Sequence, residues 1–383
     1  MFIKNNDEIL KLFFYLFSLC LLMISLFIIA ENFLIPNLEN VSKKYNLKIF
    51  EGILLGIGGS VPELSTNLMA TLKGNVELGI GAISGSGAMV LIFCFGFAGV
   101  VNEKNGKLNG FVYLRDVGIY LFVVGVIKIF LMEKKIYFFQ CCFMISLFFV
   151  YVLIVKFSKN LCKNNNEKNN EKNIEKEQNL IEMSNIEKNP KNTENNNNNN
   201  KKCLSSTYEF LIKIYSYFLP KNESYPTLSF IINLLAIIIH SNSLIILIEL
   251  ISNLLKINQS FLGMTLISWG DNLGDIINAY ILSKKNSMET LSSSLISSQI
   301  FNILICLNLP WFILLIKNYF NGINFNFIEI NFNNFNSLFI SVFSSVFIIV
   351  LFCMKLNKIN GIFLIVVYFC YLYYEFNLSK KNI

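Results

Sequence analysis

The sequence predicts an all-α polytopic membrane protein. About ten transmembrane helices are expected, arranged as two inverted five-helix repeats with broken helices at the midplane. Three observations carry that prediction. Hydrophobic residues make up 54% of the 383 positions, with 37 Phe among them, and the mean hydropathy is +0.53. Apolar runs of about 20 residues, long enough to cross a bilayer as helix, recur along the chain. Second, Gly52–Phe93 and Met264–Ile305 are copies of one another: shifted by 212 positions they align without a gap, Gly58 on Gly270, Lys73 on Lys285, Glu77 on Glu289 and Ser86 on Ser298. Third, each copy holds an acid at the same place, Glu63 in one and Asp275 in the other, inside an otherwise apolar segment. Such acids are rare in membrane spans and usually line an ion path or a reaction site.

The first half, residues 1–157, holds five expected spans. The run from Ile9 to about Ile35 exceeds a signal-peptide core and lacks a small-residue cleavage site, so it reads as a first span, ended by Pro36. NLENVSKKYNLK then makes an amphipathic connection. The second span, from about Leu47 to Thr71, contains GIGGSVPE, and Gly, Ser and Pro predict a break near Gly58–Pro62. In lipid, a broken helix survives only where protein or a wet cavity satisfies the freed backbone groups. The third span, about Val76–Val101, opens with Gly79, Gly81, Ser84, Gly85, Ser86 and Gly87, a surface that lets another helix approach closely. The fourth and fifth spans cover about 111–132 and 136–157.

Residues 158–225 join the halves. Up to about residue 203 they are Asn/Lys/Glu-rich low-complexity sequence, expected to lack structure. Leu204–Leu219 is aromatic with few charges and reads either as an interfacial helix or as one packed on its neighbours. The second half, residues 226–383, repeats the plan, with spans near 228–255, 261–282, 290–316, 337–354 and 362–376. The seventh carries SWGDNLGD. The copies thus sit on spans two and seven. An odd offset of five turns the second copy upside down in the bilayer, the inverted repeat of many secondary transporters, whose substrate sites lie where the repeats meet.

Charge and cysteine usage exclude other classes. The net charge of +7 lies in the central segment and short loops, so it reports topology and not nucleic-acid binding. Lysines near the ends of that segment favour a cytosolic or matrix-like face for it. The nine Cys are scattered and His240 is the one histidine, so neither a structural zinc nor a resident cofactor is expected. The expected setting is a lipid bilayer, as an integral multi-pass protein. The N-terminus lacks the Arg-rich, acid-poor look of a transit peptide.

The chemistry centres on Ser60 with Glu63, and on Asn272 with Asp275. In each pair a neutral oxygen precedes a carboxylate by three residues, on one helical face. Two carboxylates, neutral side-chain oxygens and unwound carbonyls make an all-oxygen site. Ca²⁺ prefers about 6–8 such ligands, and two acids nearly neutralise a divalent ion, as burial requires. The same oxygens suit Na⁺. Asp271 adds an acid beside the second break, able to tune charge at the mouth. Ser86 matches Ser298, and Asn302 lies one turn beyond Ser298 where the first copy has Val90, so the site is expected to be asymmetric. The competing reading of Glu63 and Asp275 is a structural acid, snorkelling or paired with Lys. Two copies at one offset are hard to obtain from packing alone.

GIGGSVPE with GAISGSGAMV, and SWGDNLGD with SLISSQIFN, resemble the paired alpha repeats of the sodium/calcium exchanger, or cation/Ca²⁺ antiporter, superfamily. AENFLIPNLENVSKKYNLK resembles that family's opening, and the GDNLGD and GSGAMV forms look closest to its mitochondrial-type and plant cation/calcium exchanger branch. The resemblance covers both halves but not the central segment. It implies ten helices in two inverted halves and a transporter, not an enzyme, that carries Ca²⁺ and Na⁺. It also implies that Glu63, Ser60 and Ser86, with Asp275, Asn272, Ser298 and Asn302, stand at ion-ligand positions. Gly56, Gly59, Ser268 and Asp271 match positions that offer backbone carbonyls. Gly59 stands where Thr is common, Val90 where Asn is common, and Gly274–Asp275 replace the usual Pro–Glu. Two alternatives stay open. One is an H⁺- or K⁺-coupled cation exchanger of the same fold. The other is an intramembrane aspartyl protease, suggested by Leu273-Gly274-Asp275, which would need two carboxylates sharing a proton.

Overall fold

The computed structural model describes residues 6–44, 59–102, 106–166, 200–220, 225–322, 327–330, 342–343, 346, 349–350 and 355–381. The chain is a helical membrane protein. Its first helix, α1 (Asn6–Ile29), starts with Asp7 and Glu8, whose charges suit a helix N-terminus. It continues through a π turn at Ala30–Leu34 into α2 (Ile35–Lys44). Pro36 was expected to end this span, and the structure corrects that. The Ile35 amide bonds to the Ala30 carbonyl, a five-residue step. That wider turn makes room for a ring that would clash in a regular helix. The stretch 45–58, with the expected start of the second span, lies outside the described residues.

Where both are described, the two copies of the repeat fold alike, with helix bounds that agree to within a residue. α3 spans Val61–Leu72, α4 spans Val76–Ala88, and a π turn at Met89–Cys94 leads into α5 (Phe95–Val101). After β1 (Gly106–Lys107) come α6 (Gly110–Met132), β2 (Lys135–Tyr137), α7 (Phe138–Asn166), α8 (Asn200–Phe218) and α9 (Pro226–Leu255). α10 (Gln259–Leu262) leads through a π turn at Gly263–Ile267 into the second copy and α11 (Ser268–Asp271). It continues with α12 (Leu273–Lys284) and α13 (Met288–Phe301), then a π turn at Asn302–Leu307 and α14 (Asn308–Phe320). β3 (Phe327–Glu329), β4 (Lys355–Leu356) and α15 (Lys358–Lys381) complete the chain. Under the offset read from sequence, α3 falls on α12 and the start of α4 on that of α13. The residues that open the half-helices also agree, Ser60 at φ −98°, ψ 8° and Asn272 at φ −94°, ψ 16°. So do the left-handed turns between helices: Gly74 has φ +85° and Asn286 φ +58°, and Gly and Asn are the residues that adopt that conformation readily.

Among the described residues, six continuous helices are long and apolar enough to cross a membrane: 7–41, 76–101, 138–155, 226–255, 288–320 and 358–379. The broken second and seventh spans contribute shorter pieces, and α6 carries a charged pair. The expected ninth span, 337–354, falls mostly outside the described residues. So does the segment 158–203, except at its ends, where α7 runs on to Asn166 and α8 begins at Asn200. Apolar side chains such as Phe13, Phe14, Ile129, Phe139, Leu228 and Phe369 are exposed, as a lipid-facing surface requires.

Two apolar clusters organise the interior. The larger mixes both halves, with Ile92, Phe95 and Tyr120 packed among Leu295, Ile300, Leu304, Trp311 and Tyr368. The second joins α1 and α9 through Leu19, Ile28, Ile237, Leu244 and Ile248. Small residues set the closest approach between the copies. A Cβ on Gly85 would overlap the Met264 carbonyl, and one on Gly81 the Ser260 carbonyl. Asn67 Nδ2 donates to the Cys306 carbonyl at 2.6 Å, and Asn308 Nδ2 to that of Ile303 at 2.7 Å. Both carbonyls lie in the π turn, whose irregular backbone needs such partners in lipid. The charged pair on α6 is satisfied too: Arg115 meets Asp116 at 2.7 Å, and Ser293 Oγ on α13 donates to Asp116 at 3.4 Å. Two antiparallel strand pairs join the halves, β1 with β4 and β2 with β3. β3 and β4 therefore sit at opposite ends of α6.

Gly85→Ala is expected to destabilise the protein by about 1–3 kcal/mol through overpacking against backbone. Gly118→Ala, with open space around it, is expected to raise stability by about 0.5–1 kcal/mol from helix propensity. Thermal unfolding of the purified variants in detergent checks both.

Candidate functional site

Glu63 and Asp275 occupy the same position in their half-helices, the third residue of α3 and of α12. There the free amides and the helix dipole favour negative charge. Glu63 is 7% exposed and Asp275 is half-buried. The Glu63 carboxylate lies within electrostatic range of both Asp271 and Asp275, and Asn302 is within hydrogen-bonding reach of it. Glu63 Oε2 and Asn302 Oδ1 are buried oxygens with no hydrogen-bond partner. Buried acceptors left without a donor are costly, and a cation nearby would offset that cost.

Asp271, at the end of α11, is held by side-chain chemistry absent from the first copy, where Gly59 stands in its place. Thr66 Oγ1 on α3 donates to Asp271 Oδ2 at 2.9 Å and also reaches the Glu63 carbonyl at 3.1 Å. Asp271 lies between two cavities. The inner one is lined by Glu63, Thr66, Ser86 and Asp271. The outer cleft is lined by Glu31, Gly59, Pro62, Asp271 and Gly274. Glu31, on the π turn of the first helix, is within electrostatic range of Asp275.

A third group is neutral. Ser86 Oγ is 3.0 Å from Asn272 Oδ1 and 3.1 Å from Gln299 Oε1, and it receives a bond from Asn302 Nδ2 at 3.4 Å. Asn272 is oriented by its own Nδ2, which donates to the Ser268 carbonyl at 2.6 Å. The structure thus brings Glu63, Asp271, Asp275, Ser86, Asn272 and Asn302 into one region. Ser60 lies at the break, and its carbonyl accepts from Leu64 N and, at 3.7 Å, from Cys306 Sγ. Ser298 donates to its own helix, to the Leu295 carbonyl at 3.0 Å. The Ser268 hydroxyl likewise turns back to Met264 and Thr265. Gly59 is exposed at the outer cleft, and Gly56 lies outside the described residues. Sequence reasoning missed Thr66 and Gln299. Thr66 carried a signal, three residues beyond Glu63 and so on its face. Gln299 sat beside an expected ligand with no mark of its own.

Among the described residues, no three His, Cys, Asp or Glu side chains converge as a metal-holding group. An ion here would therefore be held by carboxylates together with neutral oxygens.

Two equivalent halves, each opening a half-helix on an intramembrane acid, define a secondary-transporter architecture. The chain belongs to the sodium/calcium exchanger protein family, whose model matches residues 15–157 and 225–377. Sodium/potassium/calcium exchanger 2 of Rattus norvegicus is 26% identical over 139 residues, which cover 36% of this chain and 21% of that protein. Sodium/potassium/calcium exchanger 1 of Rattus norvegicus is 24% identical over 151 residues, 38% of this chain and 13% of that protein. The matched stretch therefore spans about a fifth or less of these relatives. The solved structure of native YfkE superposes with a TM-score of 0.52 at 12% identity, covering 89% of this chain and 88% of that one. That likeness is one of fold.

Thr66→Val removes the donor to Asp271 and is expected to cost about 1–3 kcal/mol, the penalty for an unsatisfied buried polar group. Thr66→Ser should restore most of it. Thermal unfolding of both variants distinguishes a lost hydrogen bond from lost packing.

Proposed function

We propose that the protein is a secondary active cation antiporter that exchanges Ca²⁺ for Na⁺ by alternating access. The transported ions bind at a midplane site between the half-helices. The observation that carries this reading is the matched placement of Glu63 and Asp275, with the unpartnered Glu63 Oε2 and Asn302 Oδ1 beside them. Family membership supports cation transport as the activity and weighs against the protease alternative.

The mechanism follows from electrostatics. Empty, the site holds carboxylates in a low-dielectric interior, and moving them uncompensated through the membrane is costly. One Ca²⁺ offsets two acids and takes the remaining oxygens of Ser60, Ser86, Asn272, Ser298 and Asn302 as neutral ligands. Carbonyls near Gly59, Ser268 and Asp271 complete the coordination. Na⁺ uses overlapping oxygens, so the two ions compete and are never fully bound together. Either one neutralises the site and permits the step that turns it toward the other face. The Asp271 carboxylate, between the two cavities, sets the charge an entering ion meets first. No resident cofactor takes part.

A K⁺-involving exchange is the second reading, favoured by one observation: the relatives matched above are sodium/potassium/calcium exchangers by name.

Efflux of radiolabelled Ca²⁺ from proteoliposomes, driven in turn by external Na⁺, Li⁺, K⁺ and a pH jump, tests the proposal. Na⁺ should drive efflux in the absence of K⁺. Glu63→Gln and Asp275→Asn should each lower it about 100-fold or more, since a buried ion without its counter-charge costs about 3–5 kcal/mol. Flux that survives both substitutions removes this site, and flux that needs K⁺ selects the second reading.

A further inference from the structure

The repeat runs one position beyond its aligned ends. Under the shift of 212 positions Cys94 falls on Cys306, just after Phe93 and Ile305. Both lie in π turns, Met89–Cys94 and Asn302–Leu307. Both are 0% exposed and outside any disulfide. Each thiol also approaches the acid of the opposite copy: Cys306 is within electrostatic range of Glu63 and Asp271, and Cys94 of Asp275. Packing alone asks only for a small apolar group at such a position. It does not ask for the same sulfur twice, each time across from a carboxylate.

Cys306 is fixed against the face of α3 that carries Glu63. Its carbonyl accepts from Asn67 Nδ2 at 2.6 Å, and its Sγ reaches the Ser60 carbonyl at 3.7 Å. Ser60, Glu63 and Asn67 are spaced three and four residues apart, so they follow one another along one helical face. Glu63 thus lies between the two residues that hold Cys306, and its Oε2 is buried with no hydrogen-bond partner. The sulfur–oxygen separation fits a weak S–H bond. It also fits two ligands of one ion: bonds of about 2.3 Å to sulfur and about 2.0 Å to oxygen in a tetrahedral site put the two ligand atoms about 3.5 Å apart. Among the described residues no three His, Cys, Asp or Glu side chains converge, so the thiol completes no zinc cage. It would join one carboxylate and neutral oxygens around a passing ion.

Sulfur changes which ion such a place prefers. Ca²⁺ takes oxygen ligands, whereas thiolates select softer metals. The metal binds in exchange for the thiol proton, which leaves to solvent, and its two positive charges offset one thiolate and one carboxylate. We infer that the region takes a thiophilic divalent cation of the Zn²⁺ or Cd²⁺ class in competition with Ca²⁺, with Cys306 Sγ as its soft ligand beside Glu63 and the Ser60 carbonyl. Cys94 is the matching soft ligand beside Asp275. The inference rests on the ion site proposed above and names a second class of ion for it.

Cd²⁺ is the probe, because a cadmium–thiolate bond adds an ultraviolet charge-transfer band. The full-length protein in detergent is titrated with Cd²⁺, with and without excess Ca²⁺, and followed by that band and by thermal unfolding. Ca²⁺ flux is measured on the same preparations in proteoliposomes. Wild type is compared with Cys306→Ser, Cys94→Ser and the double variant. The wild type is expected to show a band that excess Ca²⁺ removes, and the double variant to lack it. Cys306→Ser is expected to raise the half-saturating Cd²⁺ concentration at least about tenfold. It should move that of Ca²⁺, an ion held by oxygens, less than about twofold. A wild type without the band overturns the inference, as does a band that Ca²⁺ leaves in place, the mark of adventitious binding at exposed thiols such as Cys20. So does a double variant that keeps the Ca²⁺-sensitive band, or a Cys306→Ser variant that shifts Cd²⁺ and Ca²⁺ equally. Should Cys306→Ser fail to fold, Cys306→Ala decides by the same criteria. A wild type that binds Cd²⁺ with this cysteine dependence but exchanges no Ca²⁺ overturns antiport and leaves the soft-ion site standing, and one that exchanges Ca²⁺ without the band does the reverse.

Discussion

Negative charge held inside hydrocarbon is the constraint on which this structure depends. A carboxylate at that depth survives only with compensating dipoles, hydrogen bonds or ions. The chain meets the demand by interrupting two helices. Each interruption exposes a fresh N-terminus inside the helical bundle, and each N-terminus takes an acid at its third residue. The break has its own cost, since freed backbone groups need partners. The side chains of Asn67 and Asn308 supply some of them, bonding carbonyls of the π turn after α13. The small residues of α4 follow from the same need, because the second copy must approach closely enough to share one polar region.

Much of this was legible in the sequence, because duplication writes its own alignment. The fixed offset between Glu63 and Asp275 foretold the matching bounds of α3 and α12. Ser60 and Asn272 adopt one backbone conformation, as their equivalence implied. Pro36 misled. A proline in a helical pattern reads as a stop, and nothing local announced that a π turn upstream would let the helix continue. The polar partners that depend on tertiary approach were illegible for a similar reason. Thr66 matters because Asp271, more than two hundred residues away, comes to meet it. Gln299 is set by its closeness to Ser86, which no spacing rule encodes. Ser298, which the repeat equates with Ser86, makes a different bond: its hydroxyl donates within its own helix.

The asymmetry between the copies is as informative as their likeness. Gly59 against Asp271, Gly87 against Gln299 and Val90 against Asn302 all place the extra polar group on the second copy. The first copy contributes Glu63 and a tight glycine-lined surface, and the second contributes most of the side chains that tune the region. The polar region is therefore unequal in its side chains, although the half-helices that frame it start in one backbone conformation.

The strand pairs carry a mechanical consequence. β1 with β4 and β2 with β3 stitch a loop of one half to a loop of the other at both ends of α6. Sliding the halves past each other as wholes would rupture backbone pairs at both ends of α6 at once. Displacing α1 and α9, which share their own apolar cluster and carry no such stitch, would rupture none. The scaffold is thus riveted by main chain along one flank and held along the other by side chains alone, among them Asn75, which donates to Glu249 on α9.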